Sequence, residues 1–342
     1  MTNTTLQFPF SVITGRSILR LIRDDFEGCM DVVRTCYLAH AKGQSVNPPS
    51  FFLRFSDKPN ARIIGLPSHL NPPWELSGIK WIASYPDNIQ KGFPRASAVL
   101  ILNSHDHGYP FACLEASIIS ASRTAASAAL AAHHLNGGKR RTKALGIVGT
   151  GLIARYVYQF LLGTGWEIDA VRLHDLTSAQ AQKFAKEVCN PDRHQDIEVM
   201  HDINSLLTSC DIVLFATVAS TPHVHDPILF AHNPLVLHIS LRDLNPELLL
   251  NAYNIVDDID HVMHADTSPH LAEKLSGGRA FVSGTLADVM TGRCSVNRSK
   301  PIIFSPFGLG VLDLAVGKWI YERAVRAGQQ LTIDDFFYDM ER

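Results

Sequence analysis

The stretch Lys143-Ala144-Leu145-Gly146-Ile147-Val148-Gly149-Thr150-Gly151-Leu152-Ile153-Ala154 decides the fold: an apolar run breaks into G-x-G-x-x-A and then into helical spacing. Each small residue has a mechanical role in a dinucleotide-binding turn. Gly149 allows the tight bend, Gly151 lets the backbone approach a pyrophosphate, and Ala154 lets the new helix pack on its strand. The helical pattern over 152–162 presents free N–H groups to an anion at its start. The motif alone is a weak signal, but the strand before it, the helix after it and an acid downstream describe one unit. That acid is Asp175, closing Ala170-Val171-Arg172-Leu173-His174, where a carboxylate can accept both ribose hydroxyls of an adenosine. Leu176, Thr177, Ser178 and Ala179 follow with no basic residue to meet a 2′-phosphate, so the expected cofactor is NAD rather than NADP. The other reading of Asp175 is a helix N-cap ahead of Ser178-Ala179-Gln180.

Outward from the turn, strand patterns at 145–148, 171–174, 197–200, 212–216, 235–239 and 255–256 alternate with helical patterns at 179–188 and 203–207. This predicts a doubly wound parallel sheet of Rossmann type. The preceding part differs: short runs at 50–55, 61–66, 78–83 and 98–102 sit between turns such as Asn47-Pro48-Pro49 and Asn71-Pro72-Pro73, and predict an antiparallel sheet. Helical patterns at 31–41 and 115–135 flank it, the second rich in alanine. After Pro306-Phe307-Gly308 the run 311–321 has helical spacing, cannot continue a parallel sheet and is expected to return to the first domain. The fold class is therefore α/β. Residues 1–125 and 305–342 form an α+β substrate-binding and dimerisation domain, and 126–304 the NAD-binding Rossmann domain.

A chain of 342 residues is long enough for two domains, and 46% hydrophobic content marks a soluble globular protein. A net charge of −2 offers neither nucleic acid nor an anionic membrane a basic face. The cluster Lys139-Arg140-Arg141-Lys143 reads as a solvated loop before the first strand. The six cysteines are scattered without a C-x-x-C pair, which suits a reducing cytosol. Among sixteen histidines, His223-x-His225, His105-x-His107 and His261-x-x-His264 have ligand-like spacing, but no H-E-x-x-H or carboxylate-paired cluster accompanies them, and no metal is expected. Residues 1–10 lack the pattern of a signal peptide and no apolar run reaches the roughly 20 residues needed to span a bilayer, so a cytoplasmic location is expected.

An enzyme that moves hydride must pin its substrate beside the nicotinamide, and cations pin a carboxylate. Lys80, Arg95 and Arg123 are candidates. Lys80 lies in Gly78-Ile79-Lys80-Trp81-Ile82 and either emerges on a solvent face or points into a cleft. Arg123 interrupts a helix of small residues, where a long cation has reason to sit if it reaches an anion; an ion pair with Glu115 is the alternative.

Gly78-Ile79-Lys80-Trp81-Ile82, Arg95-Ala96-Ser97, Ile101-Leu102-Asn103, Gly108-Tyr109-Pro110, Glu115-Ala116-Ser117 and Ser122-Arg123-Thr124-Ala125-Ala126 resemble the ornithine cyclodeaminase/μ-crystallin superfamily. The resemblance covers nearly the whole chain. It continues through the Gly149 turn, Thr285-Leu286-Ala287-Asp288-Val289-Met290-Thr291-Gly292-Arg293 and Phe307-Gly308-Leu309-Gly310-x-x-Asp313-Leu314-Ala315. Within it, Arg62-Ile63-Ile64-Gly65-Leu66-Pro67-Ser68-His69 and Gly78-Ile79-Lys80-Trp81-Ile82-Ala83-Ser84 are most similar to the branch that makes 2,3-diaminopropionate for siderophores and peptide antibiotics.

The resemblance implies NAD-dependent oxidative hydrolysis of N-(2-amino-2-carboxyethyl)-L-glutamate, releasing L-2,3-diaminopropionate, 2-oxoglutarate and NADH. By the same resemblance Lys80 and Arg123 match the carboxylate-binding Lys and Arg, and Asp243 in Ile239-Ser240-Leu241-Arg242-Asp243-Leu244-Asn245 matches the catalytic Asp, which would activate the attacking water. Lys80 is then both catalytic and substrate-binding. Three carboxylates on the substrate ask for more cations, and Arg95 and Arg54 are the choices. Cofactor contacts are implied for Gly149, Thr150, Gly151, Leu152 and Ile153 in the turn, and for Arg123, Thr124, Asp175, Thr217 and Ser240 outside it. The resemblance places a Glu that holds the ornithine amine in cyclodeaminases three residues before Pro67; here that position is Ile64, which disfavours ornithine. Alternatives are an ornithine cyclodeaminase or an amino-acid or imine dehydrogenase of the same fold, and a μ-crystallin-like protein that binds a dinucleotide and a small ligand. A homodimer, and a PLP-dependent synthase that supplies the substrate, are further expectations from the resemblance.

Overall fold

Two eight-stranded sheets organise residues 8–338, the part that the computed structural model describes. They belong to two units: one is the chain up to Arg123 together with the segment from Leu309 onward, the other is Thr124–Gly308. Residues 1–7 of the N-terminal stretch read above lie outside the described residues.

The Thr124–Gly308 unit is a doubly wound parallel sheet. Its spatial order is Asp196–Val199, Glu167–His174, Arg141–Val148, Ile212–Phe215, Leu235–His238, Ile302–Ser305, Tyr253–Val256 and Val282–Thr285, with every neighbouring pair parallel. The central strands read Ile-Val-Leu-Phe, Leu-Val-Leu-His and Ile-Ile-Phe-Ser and are wholly buried, as strands covered on both faces must be. The strand order reverses between Arg141–Val148 and Ile212–Phe215, and a crevice at the carboxyl ends of two such strands is where open α/β sheets bind ligands.

Two readings of this unit are corrected. The basic cluster is not a loop throughout, because Arg141 begins the first strand opposite Glu167 and pairs with Glu167 (3.7 Å) and Asp169 (3.6 Å), while Arg140 Nη1 donates to Thr164 O at 2.6 Å. The sheet also holds two strands that the sequence pattern does not include, Ile302–Ser305 between Leu235–His238 and Tyr253–Val256, and Val282–Thr285 at the edge.

The other unit carries a mixed sheet. Ala96–Ser104, Leu76–Ser84 and Lys58–Leu70 form the antiparallel meander that the turn spacing predicts, longer at both ends than the apolar runs alone. Phe10–Ile13 adds to Pro110–Glu115 in parallel, a pairing that short antiparallel patterns do not anticipate. The buried helix Gly310–Arg326 packs on the meander. Two glycines permit the close approach: a Cβ on Gly317 would stand 2.2 Å from Leu100 Cδ2, and one on Gly78 would stand 2.7 Å from Leu314 Cδ2. The helix therefore lies directly over the Leu76–Ser84 strand, one alternate position from Lys80. No helix among the described residues is long and apolar enough to cross a membrane.

Candidate active site

Lys80 shares the inward face of its strand with Leu76 and Gly78, while Trp81 on the other face is 44% exposed. It is 3% exposed, and so points into the protein rather than to solvent. Its Nζ donates to Asp313 Oδ2 at 2.6 Å and to Ser120 Oγ at 3.2 Å. Arg123, one turn beyond Ser120 on the Ser117–Leu135 helix, donates from Nε to the other carboxylate oxygen, Oδ1, at 3.3 Å. Asp313 sits in the first turn of Gly310–Arg326 and is fully buried. Two cations thus share one anion, leaving the cluster with a net positive charge. Burial pushes the Lys80 ammonium down to about 8; Asp313 pulls it up, and Arg123 pushes it further down.

Glu115, the alternative partner of Arg123, instead accepts the amides of Ser117 (2.8 Å) and Ile118 (3.1 Å) at the helix start. Arg95 is half-buried. Arg54 is exposed, with its guanidinium 5.2 Å from the centroid of Phe52. Neither forms a hydrogen bond or ion pair with the Lys80 cluster. Asp313 is the residue that sequence reasoning missed, although it stands in a quoted motif; an acid inside the apolar helical run Val311-Leu312-Asp313-Leu314-Ala315-Val316 is the signal that could have found it.

In the Thr124–Gly308 unit, Gly149 has φ +84°, and a Cβ there would stand 2.8 Å from Ala216 O. A Cβ on Gly151 would meet nothing within 4 Å, so the backbone is open to a ligand at that point. Gly151 is also the N-cap of Leu152–Gly163 and supplies no side chain to the helix N–H groups. Asp175 fastens the turn to the second strand: Thr150 N–H and Oγ1 both donate to Oδ2 at 2.8 Å, and Thr177 N–H donates to Oδ1 at 3.0 Å. The N-cap of Ser178–Glu187 is Thr177 rather than Asp175. A glycine cradle, free helix amides and a carboxylate at the strand end fit a dinucleotide. Leu152 is exposed, Ile153 half-buried, and Thr124 lies on the Ser117–Leu135 helix next to Arg123.

At the carboxyl ends of the neighbouring strands, Thr217 and Ser240 turn their hydroxyls to Asp243. Asp243 is fully buried. His223 Nε2 stands 3.1 Å from its Oδ1. His238 Nε2 stands 3.2 Å from Oδ2 and also 3.2 Å from the Asp243 amide nitrogen, two contacts that ask opposite protonation of the same atom. Burial would raise the Asp243 carboxyl, but hydrogen bonds from His223, His238 and Ser240 together with the attraction of His238 prevail and hold it well below the usual carboxylate range. The backbone around it is strained: Leu241 has φ +68°, held by Ser268 N–H on its carbonyl at 2.7 Å, and Arg242 clamps Ala265 O at 2.7 and 3.2 Å. Such a conformation costs a non-glycine residue about 1–2 kcal/mol and clusters at functional sites.

The histidine pairs flagged for their spacing have other partners. His225 Nδ1 accepts from Asn245 Nδ2, His105 lies against His69 with the rings tilted by 38°, His261 bonds Asp258 and His264 bonds Asp260 O. Among the described residues no group of three or more His, Cys, Asp or Glu is placed to hold a metal ion.

A family model described as ornithine cyclodeaminase/mu-crystallin matches residues 21–328, a span that contains every residue of the candidate site. The chain belongs to this family. One member, N-((2S)-2-amino-2-carboxyethyl)-L-glutamate dehydrogenase of Staphylococcus aureus, is 29% identical over 334 residues, covering 91% of this chain and 96% of that protein. An archaeal alanine dehydrogenase dimer solved with bound NAD superposes with a TM-score of 0.85 at 25% identity, over 96% of this chain and all of that one. The Thermococcus litoralis Delta(1)-pyrroline-2-carboxylate reductase, solved with NADH and L-proline, gives 0.86 at 22% identity over 95% of this chain and all of that one, a likeness of fold.

Proposed function

We propose that this member of the family is an NAD-dependent oxidoreductase acting on a CH–NH bond, and that its substrate is N-(2-amino-2-carboxyethyl)-L-glutamate. The observation that carries the reading is the buried Lys80–Asp313–Arg123 cluster, whose unbalanced positive charge suits a substrate carboxylate. The choice among amino-acid substrates is supported by the Staphylococcus aureus relative and by Ile64, which puts an apolar side chain where an ornithine-binding carboxylate would be needed.

Gly149, Thr150 and Gly151 would cradle the pyrophosphate, Leu152 and Ile153 would lead the helix amides toward it, and Asp175 would take the ribose. Thr124, Thr217 and Ser240 would flank the same cofactor. Bound NAD supplies the hydride acceptor. Lys80 and Arg123 would orient the substrate by its carboxylate, with Arg95 and Arg54 available to its further carboxylates. Asp243, kept ionised by its donors, would stabilise the positive charge that develops at nitrogen when the α-carbon gives up hydride. Water adds to the resulting C=N carbon, the C–N bond breaks, and 2-oxoglutarate and 2,3-diaminopropionate leave. Each turnover consumes one NAD and one water and yields one NADH and one proton. A homodimer is part of this reading, as is a PLP-dependent enzyme that joins the two halves of the substrate.

Incubating the purified chain with NAD and the conjugate should give NADH and 2-oxoglutarate in equal amounts. The superposition on an alanine dehydrogenase keeps a second reading in play, and turnover of alanine, a cyclic imine or ornithine with none of the conjugate would replace the first by it.

A further inference from the structure

We propose that His223, not Asp243, is the group that takes up and returns the proton during hydrolysis, and that Asp243 is the fixed anion that orients it. The inference rests on the reading above for its substrate but on the Thr124–Gly308 unit alone for its geometry. Asp243 is poorly suited to accept a proton. Its two oxygens face Thr217 Oγ1, Ser240 Oγ, His223 Nε2 and His238 Nε2, so each favourable direction around the carboxylate is occupied. A carboxylate surrounded by donors is stabilised as the anion and is a weak base.

His223 has the opposite character. Its imidazole is 38% exposed, Nε2 is turned to Asp243, and Nδ1 has no hydrogen-bond partner among the described residues. With Nε2–H donated to the carboxylate, Nδ1 keeps a free lone pair, the division of labour of an Asp–His pair in which the Asp itself is never protonated. The ring is also held in place. The His223 and Val224 amides both donate to Asp243 O at 2.9 Å, Asn245 N–H donates back to Val224 O at 2.8 Å, and a Val224–Leu244 bridge joins the two loops. Phe215 meets the imidazole edge-on at 6.4 Å. The other ionisable groups nearby are His238 behind Asp243, Arg242 beside it, and His225, which is bound to Asn245. His238 also touches the carboxylate but is fully buried, with Nδ1 against Ser305, and has no opening to water.

The proton balance is complete without another reactant. As water adds to the C=N carbon, one O–H bond breaks and its proton passes to His223 Nδ1. His223 then protonates the departing nitrogen as the C–N bond breaks, and the remaining hydroxyl proton goes to solvent when the carbonyl closes.

Two experiments test this on the full chain. Nitrogen-15 histidine spectra of the protein without substrate, assigned with His223→Gln, should show His223 as the Nε2–H tautomer near neutral pH; an Nδ1–H tautomer would overturn the proposal. In steady state, His223→Gln should keep NAD affinity and lose kcat by about 10²–10⁴-fold with little change in KM. Added imidazole should restore part of the kcat lost by His223→Gly. Wild-type kcat in His223→Gln, or a loss confined to KM, would overturn it. Failure of the wild-type chain to turn over the conjugate would instead sink the substrate reading of the preceding section.

Discussion

Replacing Asp313 by Asn removes the single carboxylate that Lys80 and Arg123 share, and the structure bounds what that costs. With its ammonium lowered to about 8, Lys80 carries its charge in the folded chain at a cost of about 3 kcal/mol relative to the unfolded chain. Without Asp313 the carboxylate no longer opposes burial or the repulsion from Arg123, and Lys80 sheds its proton, which at pH 7 costs about 5 kcal/mol. Neutralisation therefore caps the added charge penalty at about 1–2 kcal/mol. The new amide can donate to the neutral Lys80 amine, but its uncharged carbonyl holds Arg123 less tightly than the carboxylate did, at a cost of about 1–3 kcal/mol for the weakened charge-assisted bond. The expected loss at pH 7 is about 2–4 kcal/mol, toward the lower end of what breaking a buried ion pair usually costs.

Urea unfolding at pH 7 and pH 9 separates the two parts. Because the folded group sits below its unfolded value, the unfolded chain binds more protons from about pH 8 to 10.5, and wild-type stability from this group rises with pH across that window. In the variant the rise starts lower. Above pH 8 Lys80 is neutral in both proteins, so the gap between them should narrow by about 1–2 kcal/mol from pH 7 to pH 9. A loss above about 5 kcal/mol at pH 7 that persists at pH 9 would mean that Lys80 keeps its proton unpaired, and the reasoning would fail.

Three further outcomes are expected. Asp175→Ala should weaken NAD binding about 10–100-fold in a fluorescence titration, since it loses a ribose acceptor and frees Thr150; an unchanged Kd would remove Asp175 from the cofactor site. Gly149→Ala should cost about 1–3 kcal/mol in thermal unfolding and abolish NAD binding, because a methyl at φ +84° is driven to 2.8 Å from Ala216 O; wild-type behaviour would show that the turn yields. KM for the conjugate should climb above about pH 8 as Lys80 loses its proton, and Lys80→Arg should remove that climb; a flat wild-type KM to pH 9.5 would contradict carboxylate capture by Lys80.

The parts that could be read from the sequence are those whose determinants lie close together along the chain. The Gly149 turn, its flanking strand and helix, and the parallel sheet that follows are local patterns, and the structure has them with small shifts at the ends. The Ile302–Ser305 strand was not visible because its place between Leu235–His238 and Tyr253–Val256 is set by pairing across the sheet, not by its own pattern. Asp313 is the sharper case. It meets Lys80 across 233 positions and Arg123 across 190, and nothing in the spacing of either cation announces a shared buried acid. In the sequence His223 stands only as half of an H-x-H pair, since the strained loop that delivers Asp243 to it depends on Leu241 adopting a left-handed backbone that no residue type signals there.

Two fully buried aspartates define the chemistry by contrast. Asp313 is held by two cations, so its unit carries a formal positive excess at that point, and the field beyond the cluster attracts an anion. Asp243 is held by two hydroxyls and flanked by two imidazoles; the hydroxyls stabilise a carboxylate by orientation without cancelling its charge, so its unit presents an anion at the carboxyl ends of the strands. In the proposed reaction a substrate that enters with a carboxylate and passes through a cationic carbon–nitrogen double bond would call on both fields, one throughout and one only as hydride leaves. The first sets affinity and the second sets rate, because only an interaction stronger in the transition state lowers the barrier. Neutralising Asp243 with Asn should therefore leave KM near wild type and reduce kcat, whereas neutralising Lys80 with Met should do the reverse, and matching changes in both constants for both variants would refute the division.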